Sequence, residues 1–351
     1  MLITSVVTSY VLIDKENQLT EHVLAGHLVA LLISFRIIWG FLGVKCSGHE
    51  DLLRKIPQVP MYFKNYFNKN RGSYMGHNPA SALYVLSIMS LLILVTLSGS
   101  LLYGIQENSG IFAGLNENYS DWMLLIESFH KISTTVLLVF ILSHVTGVIL
   151  NLIFNGSDVI LGMINGKRRG TDFDVVLTIQ QHIFGVVWIV SALSLATYFY
   201  YNPDNILTED KSIEIDFRRE SYETSSGCGS CHMVYPAYLL PKQSWNEMMD
   251  NLENHFGKDA SRPEEEAQLI REYLMNNAAE HSTKEAAVKI LDRLGEKTPA
   301  AITETNYWRE KHKDITKEQF EADYGIKSDC RTCHKTIRDG LIQDKDIKFK
   351  Y

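Results

Sequence analysis

Residues 123–154 read Met123-Leu-Leu-Ile-Glu127-Ser-Phe-His130-Lys131-Ile-Ser-Thr-Thr-Val-Leu-Leu-Val-Phe-Ile-Leu-Ser143-His144-Val-Thr-Gly-Val-Ile-Leu-Asn-Leu-Ile-Phe154, an apolar run that keeps two imidazoles inside it. A helix of about 20 apolar residues crosses a bilayer core. This run is longer, so its ends project from the bilayer or tilt. His130 and His144 are 14 residues apart. Fourteen steps of 100° fall about 40° short of four turns and rise roughly 21 Å, so both imidazoles share one helix face at two depths. Intramembrane histidine is costly enough to mark a candidate site; polar glue between helices is the bland alternative.

Three more runs have spanning length, Val23–Val44, Ala80–Tyr103 and Ile179–Tyr200. Leu2–Ile13 extends only roughly 18 Å as a helix, too short to cross alone. It lacks the basic n-region and cleavage site of a signal peptide and reads as the end of a crossing whose beginning is absent. The whole-chain figures hide this half. The 351 residues suit about two domains, and the net charge of −7 argues against a nucleic-acid binder. The mean hydropathy of −0.07 averages an apolar stretch, 1–201, with a polar one, 202–351. A fully soluble enzyme is excluded.

Loop charge orients the helices. Lys45, Arg54, Lys55, Lys64, Lys69 and Arg71 lie between the first and second full crossings, and Lys167, Arg168 and Arg169 between the third and fourth. The positive-inside rule places both loops in the cytoplasm. The acid-leaning Glu107, Glu117 and Asp121 loop, and everything after Tyr201, then lie outside. Asp51–Arg71 mixes aromatic with basic residues, as a segment on the inner membrane surface does. Cys46, at the inner end of a crossing, reads as a structural thiol, and Ser98-Gly99-Ser100 as a point of close helix or porphyrin approach.

The polar half repeats one motif: Cys228-Gly-Ser-Cys231-His232 and Cys330-Arg-Thr-Cys333-His334. Cys-x-x-Cys-His attaches a c-type haem through two thioethers, with the histidine as an axial ligand. One copy could be a redox dithiol or half a zinc site; two, each with its histidine, outside a membrane, point to two covalent haems. His255, His281 and His312 are candidate distal ligands, competing with Met233, Met248 and Met249.

The run Cys228–Trp245, with Asn254-His-Phe-Gly257, Ile270-Arg-Glu-Tyr-Leu274, Thr303-Glu-Thr305 and Cys330–His334, resembles the bacterial dihaem cytochrome c family. The resemblance implies two bis-histidine haems c with His255 and His312 as distal ligands. Nearness in sequence pairs His255 with the first haem and His312 with the second; His281 reads as a surface residue. In the apolar half, Glu21-His22-Val-Leu-Ala-Gly-His27 with Arg36-Ile-Ile-Trp39-Gly, Gly76-His77-Asn-Pro79, Phe129-His130, Ser143-His144 and Gly166-Lys-Arg-Arg169 resemble the bacterial cytochrome b561 family, which includes hydrogenase b-type cytochromes. This resemblance implies a four-helix core with two bis-histidine haems b. His22 and His130 map onto the outer pair and His144 onto the inner. The family's remaining inner ligand lies near the start of its first helix, where this chain has no residue; His182 or His77 could substitute. Arg36, 14 residues beyond His22 and so on the same face, would meet an inner propionate or snorkel to the headgroups.

The expected fold is all-α: a multi-pass transmembrane bundle (a four-helix haem b core plus a fifth helix), then a mainly helical dihaem c domain. The expected boundaries are 1–170, 171–205 for the last crossing and linker, and 206–351 outside. The expected function is electron transfer in a bacterial inner membrane, from quinol through haems b to two haems c and a periplasmic cytochrome or other haem protein. A second reading is the membrane cytochrome of a periplasmic dehydrogenase or hydrogenase complex that passes electrons to quinone. A haem-based sensor is a third, which bis-histidine ligation and the lack of an output module disfavour.

Overall fold

The computed structural model describes residues 2–12, 18–44, 48–68, 77–115, 122–155, 176–202, 204–211, 227–295, 298–316, 330–342 and 347. Cys46, Lys45, Lys69, Arg71 and Lys167–Arg169 lie outside them. Among the described residues there are helices and isolated bridges but no strand. Two compact units are formed: Met1–Tyr10, Leu24–Ser100 and Leu125–Pro203 make the first; Val11–Val23, Leu101–Leu124 and Asp204–Tyr351 make the second.

The apolar half forms α1 (Leu2–Val11), α2 (Leu19–Leu42), the short α3 (His49–Lys55) and α4 (Val59–Phe67), α5 (Pro79–Glu107), α6 (Met123–Asn155) and α7 (Ile179–Tyr201). Of these, α2, α5, α6 and α7 are long and apolar enough to cross a membrane. Val29 and Ile33 of α2, Leu92 of α5 and Leu137 of α6 form one buried cluster, against which Leu2 and Val6 of α1 pack. The short first helix therefore completes a four-helix core. The fifth helix, α7, lies on another face of α2: Phe184 stacks on Phe35 at 5.8 Å and on Trp39 at 6.2 Å, with Trp188 tilted against Phe35. Thr178 and Gln181 close a capping box at the start of α7. Outward residues such as Ile132 and Leu142 are about two-thirds exposed, as lipid-facing side chains are once no bilayer surrounds them.

In the second unit the segment after α7 pairs with the segment after α5. Gly110 N–H donates to Glu209 O, Lys211 N–H to Asn108 O, and Asn108 Nδ2 to Lys211 O, each at 3.0 Å. Gly110 is needed there: its φ is +70°, and a Cβ would lie 2.5 Å from the Leu207 carbonyl oxygen. The polar domain holds α8 (Lys242–Asp250), α9 (Glu264–Asn276), α10 (Glu285–Asp292) and α11 (Asn306–Lys311), joined by short 3-10 turns. Trp245 and Met249 of α8 and Ile270, Tyr273 and Leu274 of α9 form its main core. The buried Trp245 satisfies its indole by donating to Ala237 O at 2.7 Å.

Candidate functional site

The first Cys-x-x-Cys-His segment is a tight turn. Cys228–Ser230 is one 3-10 turn, and Arg262 holds it by donating to Gly227 O at 2.9 Å and Ser230 Oγ at 3.0 Å. The four motif cysteines form no disulfide, so all four sulfurs are available for thioethers. Opposite His232 stands His255, the two rings 6.1 Å apart and 18° from parallel. His255 is projected by a turn in which Phe256 and Gly257 take positive φ, +52° and +81°, with Lys258 N–H donating back to His255 O at 3.1 Å. In the second motif, His334 N–H bonds Cys330 O at 2.9 Å. His312, at the end of α11, faces His334 with ring centroids 6.2 Å apart. The fold thus brings His255 to His232 and His312 to His334; Met249, by contrast, lies in the hydrophobic core.

These spacings fit the groups that the motifs call for. A metal–imidazole bond of about 2.0 Å, taken twice, with about 1.1 Å from each nitrogen to its ring centre, separates two axial rings by roughly 6.2 Å. The proton positions fit too. His232 Nδ1 lies 2.6 Å from Met233 O and His312 Nδ1 2.8 Å from Trp308 O. With Nδ1–H donating to a carbonyl, Nε2 keeps its lone pair for a metal. Burial, and then His312, push His334 down to about 4; burial, and then His232, lower His255. Both shifts favour the neutral imidazole, the form that ligates. His281 ends a 3-10 turn and is exposed.

In the membrane half, His130 Nδ1 lies 3.1 Å from Ser98 Oγ of α5. A Cβ on Gly99 would come within 2.9 Å of His130 Cε1, so the bare glycine lets α5 lie against the imidazole. His27 of α2, which sequence reading treats only as part of a motif, has Nε2 3.5 Å from Ser100 Oγ. His144 lies against the Tyr84 ring at 6.2 Å, and Ser143 Oγ donates to Tyr84 Oη at 3.0 Å. His22 stands on the first turn of α2 and Arg36 in its second half, both partly buried. Just before α5, His77 is held below the usual imidazole range by burial, then by Lys55 and Arg36, with His144 adding to the effect and Asp51 opposing it. His182 is exposed, and its Nδ1 lies 3.1 Å from Thr178 O of its own helix.

Residues 2–166 match the family described as prokaryotic cytochrome b561, and residues 224–341 the family described as dihaem cytochrome c. Two curated relatives carry the name "Probable Ni/Fe-hydrogenase B-type cytochrome subunit". The one from Rhizobium leguminosarum bv. viciae is 25% identical over 169 residues, and the one from Bradyrhizobium diazoefficiens 23% over 172. Each alignment covers 43% of this chain, and 68% and 66% of the relatives, so the chain spans about two thirds of their length. Among solved structures, a diheme cytochrome c from Rhodobacter sphaeroides is 34% identical over 37% of this chain and 99% of its own, with a TM-score of 0.32. One from Shewanella baltica OS155 is 32% identical over 37% and 92%, with a TM-score of 0.30.

The chain is a membrane electron-transfer protein. It joins a cytochrome b561 domain at its N-terminus to a dihaem cytochrome c domain at its C-terminus, which implies haem b and haem c as its cofactors.

Proposed function

We propose that this protein passes electrons from membrane quinol, through two haems b, to two haems c and on to a periplasmic cytochrome or other haem protein. When bound, the haems supply one-electron transfer; the polypeptide ligates, orients and insulates them. Cys228 and Cys231 would hold the first haem c, with His232 and His255 as its iron ligands. Cys330 and Cys333 would hold the second, with His334 and His312 as its iron ligands. His22 and His130 ligate the outer haem b, and His144 is one ligand of the inner. The second ligand of the inner haem is His77 or His182. Arg36 pairs with an inner propionate. The domains run 1–170, 171–205 and 206–351, with the last outside the inner membrane. The pairing of the segment after α7 with the segment after α5 supports this orientation, since it requires both helices to end on one side.

The observation that carries the reading is the facing of two histidine pairs, at 6.1 and 6.2 Å, beside both cysteine motifs, in a chain whose other half is a cytochrome b561 domain. In vesicles holding the purified full chain, added quinol is expected to reduce the c haems, followed at their α-band. Haems that dithionite reduces and quinol leaves oxidised would overturn the proposal. The names of the curated relatives favour a second reading, a membrane cytochrome that receives electrons from a periplasmic oxidoreductase and delivers them to quinone. Co-purification of a stoichiometric metalloenzyme would select it.

A further inference from the structure

We infer that Ser98 is a positioning residue for His130: its hydroxyl oxygen accepts the Nδ1 proton of that imidazole and so commits Nε2 to the iron of a haem b. The inference rests on the reading of His130 as a haem b ligand.

Ser98 lies well inside α5, a helix of membrane-spanning length, and is 7% exposed. Its Oγ is 3.1 Å from His130 Nδ1 and also 3.1 Å from the Val95 carbonyl oxygen, one turn back on α5. A serine hydroxyl has one proton to give and two lone pairs with which to accept. Given to Val95 O, that proton leaves the oxygen free to accept from Nδ1–H. A relay results, imidazole N–H to hydroxyl oxygen, hydroxyl proton to carbonyl, in which each polar atom is satisfied. A neutral imidazole protonated at Nδ1 has its only free lone pair on Nε2, so the contact selects the ligating tautomer.

In the polar domain a backbone carbonyl does this work: Met233 O lies by His232 and Trp308 O by His312. Inside a bilayer, helix carbonyls already accept from their own helices, and beside His130 Nδ1 the acceptor is a side chain, the Ser98 hydroxyl. Gly99 makes the reach possible, since a Cβ there would meet the imidazole at 2.9 Å. Thr96, two residues away, spends its hydroxyl on its own helix, at Leu92 O and Ile93 O, and is the natural control. A hydrogen bond at Nδ1 raises the basicity of the ligand, which favours ferric over ferrous iron. Losing it raises the midpoint potential.

The test is a redox titration of the b haems in the purified full chain, with haem content read from the same samples. His130→Ala first identifies the affected haem; if it keeps every haem b, the reading of His130 as a ligand fails, and that outcome is distinct from the ones below. Ser98→Ala is expected to keep that haem and raise its potential. Ser98→Thr, which retains the hydroxyl, is expected to restore the parental value, and Thr96→Val to leave it unchanged. An unshifted potential in Ser98→Ala with full haem content overturns the inference, as does an equal shift in Thr96→Val. Should Ser98→Ala lose the haem, recovery in Ser98→Thr supports the inference and failure to recover overturns it.

Discussion

Gly99 and Arg262 show how single residues shape the two kinds of candidate site. Gly99 has no Cβ because His130 occupies the space where one would stand. Gly99→Val is expected to force the imidazole or α5 aside, at a cost of about 1–3 kcal/mol, as overpacking typically has, with partial or complete loss of the haem b proposed at His130. A pyridine haemochrome ratio with less b per c would report it; an unchanged ratio would show that the contact can yield. Arg262 braces the first attachment turn through Gly227 O and Ser230 Oγ. Arg262→Met keeps the stem and removes both donors. It is expected to destabilise the polar domain by about 1–3 kcal/mol, seen as a lower thermal midpoint with both haems c still attached. Sequence marks Ser98-Gly99-Ser100 as a point of close approach but does not show that His130 is what approaches, and it gives Arg262 no role. Ser98 and His130 are 32 residues apart and Arg262 is 35 from Gly227, so only folding brings these partners together.

At the level of helices, what the sequence makes plain is what periodicity and length control. The apolar runs read as Val23–Val44 and Ala80–Tyr103 become α2, Leu19–Leu42, and α5, Pro79–Glu107. The ends differ by a few residues because polar residues such as Thr20, Gln106 and Glu107 continue a helix beyond its apolar stretch. The short α11 depends on its cap. Thr305, 5% exposed, accepts from Trp308 N–H at 3.2 Å and donates to Ile302 O at 2.8 Å, which holds the helix that ends at His312. Thr305→Ala is expected to cost about 1 kcal/mol and to loosen the His312–His334 pair. The measurement is cyanide binding to the ferric polar-domain haems, which becomes faster at one of the two; unchanged rates at both would separate the cap from the ligand. The turn that projects His255 needs Gly257 at φ +81°, a requirement that a lone Asn-His-Phe-Gly string does not display.

For the whole molecule, the two Cys-x-x-Cys-His motifs and the four long apolar runs made the class of protein legible, because covalent haem and membrane crossing each demand a fixed local pattern. The tie between the segments after α5 and α7 was not legible, since it is built from backbone hydrogen bonds between positions about 100 residues apart. It joins the segment that follows α5 to the segment that follows α7, as the proposed orientation requires. Protease added to intact spheroplasts is therefore expected to cleave the polar domain, monitored with a C-terminal epitope; protection in spheroplasts with cleavage after lysis would invert the proposed orientation. The most direct test of the central claim, that one chain carries both a membrane b-haem array and two covalent haems c, is a pyridine haemochrome spectrum of the purified full chain. Two haems b to two haems c per polypeptide is the expected result. A spectrum of haem c with no haem b would contradict it.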